Sequence, residues 1–241
     1  MKAWSGELKS IALALGCVLV VRTVVAEPYT VPSGSMLPTL LVGDELIGSK
    51  YAYGYGKYSS PIGLMPDFAG RLFEKAPERG DVVVFRLPRE PSVTYVKRLI
   101  GLPGDRVQVR MGRLYINDAL VPRRAVGQWG DETLYIETLP SSEGGGGREH
   151  EIIERSDAER HDDTAVFVVP DGHYFMLGDN RDDSVDSRIA ARDGGVGFVP
   201  AENLVARADR LLLSRDTSVG WRDVGDWPRA FRLDRFLGRI D

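Results

Sequence analysis

Beyond an apolar N-terminal segment, hydrophobic and polar residues alternate with a period of two along most of this chain. Successive strand residues point to opposite faces, so such alternation predicts half-buried β-strands, whereas a helix would show a period near 3.6. The pattern marks strands at 45–50, 81–85, 95–100, 106–109, 113–116, 165–169, 174–177 and 204–213. Gly, Pro and Asn-Asp punctuation bounds most of them, and 27 Gly with 14 Pro suit many short strands joined by turns. The expected fold is mainly β, behind one N-terminal helix.

Residues 11–26 are apolar apart from Arg22 and Thr23. About sixteen helical residues span roughly 24 Å, short of the ~30 Å hydrocarbon core of a bilayer. Three readings compete. A cleavable signal peptide fits the basic residues Lys2 and Lys9, the apolar run, and a Val24-x-Ala26 ending. A buried core helix is the second. The preferred reading is a single transmembrane anchor, with Arg22 snorkelling to the far interface. Lys2 and Lys9 then favour a cytoplasmic N-terminus, with the bulk of the chain facing outward.

Three further stretches lack a clear period. Residues 52–79 carry scattered aromatics and read as an extended hairpin or long functional loop. Residues 140–163 are polar and Gly-rich, and read as a surface excursion in which His150 and His161 are solvated. The tail from Trp221 mixes aromatics and arginines; a membrane-interfacial position and docking onto its own domain fit it equally well. Composition narrows the chemistry. Net charge is −4, which provides no basic footprint for nucleic acid. Cys17 is the sole cysteine, so neither a disulfide framework nor a cysteine metal site can form within one chain. No HExxH, CxxC or phosphate-cradling loop occurs, and no metal or cofactor is expected.

The candidate chemistry lies in three stretches. Pro32-Ser33-Gly34-Ser35-Met36 combines a rigid proline with a glycine able to turn the chain sharply. Such a turn exposes the Ser35 hydroxyl and aims its own N–H at a developing oxyanion, with Ser33 offering a second donor. Taken alone it is also an ordinary turn. In Tyr95-Val96-Lys97-Arg98-Leu99-Ile100, alternation puts Lys97 between Tyr95 and Leu99 on one face. Desolvation there lowers a lysine pKa. Working as a base near neutrality requires a fall of roughly 2–3 units, at a cost of about 3–4 kcal/mol. A serine beside such an amine suggests a Ser/Lys hydrolase. The third stretch, 178–188, holds four aspartates without Ca²⁺-loop spacing, and reads as a polar turn with internal ion pairs.

Together these stretches closely resemble bacterial type I signal peptidase, the membrane-anchored leader peptidase of the Ser/Lys class. The match runs through residues 32–40, Gly43-Asp44, residues 79–85 and 95–105, and Gly178-Asp179-Asn180-Arg181-Asp182 with residues 184–188. The resemblance implies Ser35 as nucleophile, Lys97 as general base and Ser33 with Ser35 as the oxyanion hole. It makes Ser184 the serine that orients the lysine, and Asp186 and Arg188 a structural ion pair. Shallow pockets for small side chains at −1 and −3 map onto Pro28, Tyr29, Val31, Pro32, Met36, Leu40, Leu46, Tyr95 and Val96. The implied partners are exported preproteins, a bacterial inner membrane crossed once, and a nearby secretion translocon, with the catalytic domain outside.

The resemblance also implies a two-part antiparallel β fold. The expected division is an anchor at 1–27, catalytic parts at 28–105 and 166–213, an inserted β domain at 106–165, and a tail at 214–241. Two departures stand out. Asp183 replaces the family's usual asparagine, and residues 189–195 replace its aromatic-glycine run. A protease maturing conjugation or pilus components would look alike, and an inactive membrane-anchored scaffold is a third reading. An auto-cleaving repressor fits poorly, since no DNA-binding helix pair precedes the serine.

Overall fold

The computed structural model describes residues 2–60, 70–141, 146–220, 225 and 227–241, with side chains from residue 7 onward. Among the described residues, a helix, α1 (Lys2–Val24), leads into fourteen strands. These are β1 (Ala26–Thr30), β2 (Asp44–Ser49), β3 (Val82–Leu87), β4 (Glu90–Gly101), β5 (Arg106–Arg110), β6 (Arg113–Ile116) and β7 (Ala119–Leu120). They continue as β8 (Arg123–Trp129), β9 (Glu132–Leu139), β10 (Arg148–Glu154), β11 (Phe167–Val168), β12 (His173–Leu177), β13 (Val199–Pro200) and β14 (Leu204–Ser214). The fold is mainly antiparallel β.

A seven-stranded sheet in the order β1-β2-β14-β3-β4-β12-β13 forms the body. Its central strand β3 is nearly all apolar because both faces are covered. Val82 and Val84 pack with Val31, Met36, Leu40 and Leu46 on one side. Val83 and Phe85 pack with Tyr53, Leu99 and Met176 on the other. A third cluster joins Ile100, Phe175 and Leu177 to Val107, Leu114 and Ile116 of the four-stranded sheet β11-β5-β6-β7. A separate three-stranded sheet has the order β10-β9-β8.

One expectation finds no support in the structure, and another changes. Among the described residues, no helix is long and apolar enough to cross a membrane. The physical reason is that Glu7 and Lys9 stand before the apolar run of α1 and Arg22 within it, which leaves the run short. The stretch expected as a surface excursion also contains β10, paired with β9 from Arg148↔Leu139 to Glu154↔Thr133. His150, Ile152, Ile153 and Glu154 are buried in it. The carboxylates inside there are paired: Arg123 binds Glu154, and Arg181 binds Glu137 at 2.5 Å. His150 is therefore not solvated, and burial followed by Arg98 and Arg181 holds it well below the usual histidine range. Residues 142–145 lie outside the described set.

The hairpin expected at 52–79 is paired at Tyr55↔Leu72, and its residues 61–69 lie outside the described set. Arg71 pins it by donating to the carbonyls of Tyr53, Gly54 and Leu204. The tail, of which 221–224 and 226 lie outside the described set, docks on its own domain. Ile240 is buried in the core and its N–H donates to Asp209 at 3.0 Å. Arg235 reaches the Asp44 carboxylate at 2.6 Å.

Candidate active site

The loop between β1 and β2 presents Ser35. It is closed at its base by Val31 N–H donating to the Asp44 carbonyl at 2.8 Å and Gly43 N–H donating to the Val31 carbonyl at 3.0 Å. Gly43 has φ +88°, and a Cβ there would stand 2.0 Å from the Arg215 carbonyl oxygen, so only glycine fits. Met36 and Leu40 anchor the loop in the core at 0% exposure. That leaves Ser33 exposed and Ser35 half-buried at the surface of a cleft.

Lys97 comes from β4, between β3 and β12, and only 3% of it is exposed. Its Nζ donates to Ser35 Oγ at 2.6 Å and to the Val96 carbonyl at 3.1 Å. Burial lowers the Lys97 pKa to about 8, opposed by the more distant Asp186 and Asp179 carboxylates. The amine also stands 5.4 Å from the centre of the Tyr95 ring. Ser33 Oγ lies 3.5 Å from Ser35 Oγ. Among the described residues, the Ser35 N–H donates to no backbone carbonyl.

The turn after β12 braces this pair from behind. Asn180 donates its N–H to the Ser35 carbonyl at 3.2 Å and its side-chain amide to the Gly34 carbonyl at 3.3 Å. A Cβ on Gly178 would lie 2.3 Å from Ser184 Oγ and 2.4 Å from the Ser35 carbonyl oxygen, so a larger residue would push the turn off the serine loop. Arg188 grips Asp186 through Nε at 3.0 Å and Nη2 at 2.9 Å. Burial alone would raise the Asp186 carboxyl, but Arg188 and two backbone N–H donors outweigh it and hold the pKa low. Ser184 is buried, yet its hydroxyl has no hydrogen-bond partner among the described residues, so the expected bond to the lysine amine is not formed.

A cleft of about 510 Å³ opens in front of Ser35 and Lys97. Of the residues assigned to small-residue pockets, Tyr29, Val31, Pro32, Leu46, Tyr95 and Val96 line it. Pro28 is exposed on β1, and Met36 and Leu40 lie in the core behind the wall. The sequence reading missed Thr30, Val84, Val93, Thr94, Asp183 and Val185 as lining residues. Val84 joins the wall because its antiparallel partner is Val96. It also gave no role to Arg98, which is fully buried and clasps Asp179 at 2.8 and 2.7 Å. That bidentate pair ties the lysine strand to the bracing turn. No histidine lines the cleft; His173 bonds the Asp171 carbonyl at 2.9 Å instead. Among the described residues, no cluster of three or more potential metal ligands occurs.

Residues 4–213 match the family model described as signal peptidase, peptidase S26. The chain belongs to that family. It is 41% identical to the signal peptidase I of Rickettsia canadensis over 262 residues, covering 99% of this chain and 94% of the relative. It is 43% identical to that of Rickettsia prowazekii over 257 residues, covering 97% and 93%. A crystal structure of a signal peptidase I from Enterococcus faecalis overlaps 55% of this chain and 97% of its own, at 27% identity and a TM-score of 0.33. Membership of the signal peptidase family makes the chain a peptidase, and supports signal peptides as its targets.

Proposed function

We propose that this chain removes N-terminal signal peptides from exported preproteins, cutting after small residues at −1 and −3, by a Ser35 nucleophile and a Lys97 base. The observation that carries this reading is the 2.6 Å contact between a half-buried hydroxyl and a buried amine. Lys97 in its neutral form takes the Ser35 proton as Oγ attacks the scissile carbonyl. The Ser33 hydroxyl and the Ser35 N–H receive the developing oxyanion. Lys97 returns its proton to the leaving amine, leaving an acyl-enzyme; a water deprotonated by Lys97 then attacks it, the bond to Ser35 Oγ breaks, and Lys97 gives the proton back to that oxygen. The Asp186–Arg188 pair holds the turn that braces the serine loop. The apolar lining suits an Ala-x-Ala substrate, with Pro28, Met36 and Leu40 shaping the wall from outside and behind.

On this reading residues 28–105 and 166–213 form the catalytic region, with 106–165 inserted between them. The apolar residues of α1, such as Leu13 and Leu15, are exposed on the isolated chain. We read α1 as a single anchor in a bacterial inner membrane, catalytic side outward. Purified full-length protein in detergent should cleave a synthetic Ala-x-Ala peptide, and Ser35→Ala should not. Turnover by Ser35→Ala, or no cleavage by the wild type, overturns the assignment. Intact-mass analysis of membrane-derived protein should show α1 still attached; a chain starting at Glu27 would remove the anchor.

A further inference from the structure

Outside the Ser35–Lys97 pair, a cluster of ionisable groups lies where α1 meets the sheet. Glu27 on β1 is buried and receives Lys50 Nζ at 2.6 Å and Arg22 Nη2 at 2.7 Å. Lys50 is fully buried and also donates to the Ser59 carbonyl at 2.6 Å, while its N–H reaches the Val25 carbonyl at 3.1 Å. The remaining donor is the cleft-lining Tyr29, whose hydroxyl reaches Glu27 at 3.0 Å. The Tyr29 ring lies over Gly48 on the paired strand, where an added Cβ would stand 2.8 Å from its Cε2. The ring is thus held flat from one side by a bare glycine and at its tip by a carboxylate that two cations hold in place.

We propose that Glu27 is a positioning residue that fixes the Tyr29 wall of the cleft and so sets how large a substrate side chain fits beside Ser35. The proposal rests on the peptidase reading above. A wall that can swing admits an extra methylene or two, and fixed walls reject such groups by about 10–200-fold. Lys50 and Arg22 supply the rigidity: a carboxylate held by two charge-assisted bonds cannot follow a moving phenol. Arg22 belongs to α1, so the same contact ties the helix to the wall.

The test compares kcat/KM for two peptides, alanine against leucine at the residue before the cut, using full-length protein in detergent. Glu27→Gln should lower the alanine-to-leucine ratio about tenfold, mainly through a lower KM for the leucine peptide. Tyr29→Phe, which keeps the ring and both ion pairs but loses the hydroxyl, should lower the ratio to a similar extent. The double variant should fall no further, because both changes break one link. An unchanged ratio in either single variant overturns the clamp. So does an equal loss for both peptides, which is what a general structural defect would give, or an additive double variant. A wild type that cuts neither peptide overturns the peptidase reading and the clamp with it. A discriminating wild type whose variants keep the ratio overturns the clamp alone.

Discussion

Lys50 and Lys97 are both buried, at 0% and 3% exposure, and each has an oxygen 2.6 Å from its amine. At Lys50 one of those oxygens belongs to the Glu27 carboxylate; at Lys97 it belongs to a serine hydroxyl. Burial lowers the pKa of both amines, and at Lys50 the adjacent Glu27 opposes the fall. At Lys97 the opposing carboxylates belong to Asp186 and Asp179, and the result is about 8. Asp186 is itself occupied by Arg188, and Asp179 by Arg98. A buried lysine with its own carboxylate is a structural cation, whereas one whose nearby carboxylates are taken by arginines can give up its proton near neutrality.

The largest effect should come from replacing each lysine by arginine, which cannot be deprotonated. Lys97→Arg should lose roughly 10³-fold or more in kcat/KM, the scale of losing a catalytic base. Lys50→Arg keeps a cation beside Glu27 and should cost less than about tenfold. Peptide cleavage by the two purified variants decides this, and equal losses would erase the distinction between the lysines.

A stability experiment sharpens the same contrast. Lys50→Met leaves Glu27 buried with only Arg22 and Tyr29, and should cost about 2–3 kcal/mol, below the ~3–5 for a charge left wholly unpaired. Lys97→Met orphans no carboxylate and removes a desolvated amine, so it should be neutral or stabilising at pH 7. The sign follows from linkage. Between about 8 and the ordinary 10.5 the unfolded chain holds more protons on Lys97 than the folded one, so stability rises with pH across that window. Thermal denaturation of the two variants in detergent at pH 7 measures the difference. A Lys97→Met protein as destabilised as Lys50→Met would show that the Lys97 amine contributes to the fold as an ordinary partner does.

The body of the fold was legible because its strands carry a clean signal. In β5 and β6, Val107, Val109, Leu114 and Ile116 alternate with polar partners and fill one cluster. The sheet β8–β10 gave no such signal for two physical reasons. The side chains of β8 are exposed along nearly its whole length, so neither face is apolar. In β9 and β10 the inward positions include Glu137, His150 and Glu154, which are buried among arginines and read as surface in a sequence. At the candidate site, the serine turn and the lysine strand were legible because each is a constrained local pattern: a Pro-Ser-Gly-Ser turn, and a lysine between apolar neighbours on one strand face. The brace was harder to see, since Arg98 and Asp179 are 81 positions apart and meet only after β4 and β12 pair. Ser184 marks the reverse limit: a role carried over by resemblance does not bring its hydroxyl into a hydrogen bond.

The smallest effect, and the most direct reading of the difference between the two lysines, is the acidic limb of activity. If neutral Lys97 is the base, kcat/KM should rise about tenfold per pH unit below an apparent pKa of about 8 and level off above it. At pH 7 roughly a tenth of the amine would be neutral, so an assay there understates the enzyme by about tenfold. The limb should belong to Lys97 alone. Lys50→Met removes a cation that forms its ion pair with Glu27, and should leave the apparent pKa within ~0.3 units, because the Lys97 amine is shifted first by its own burial. A limb near ~6.5, the ordinary histidine value, would point to a different base. A limb that moves when Lys50 is replaced would mean that the two amines share one electrostatic site.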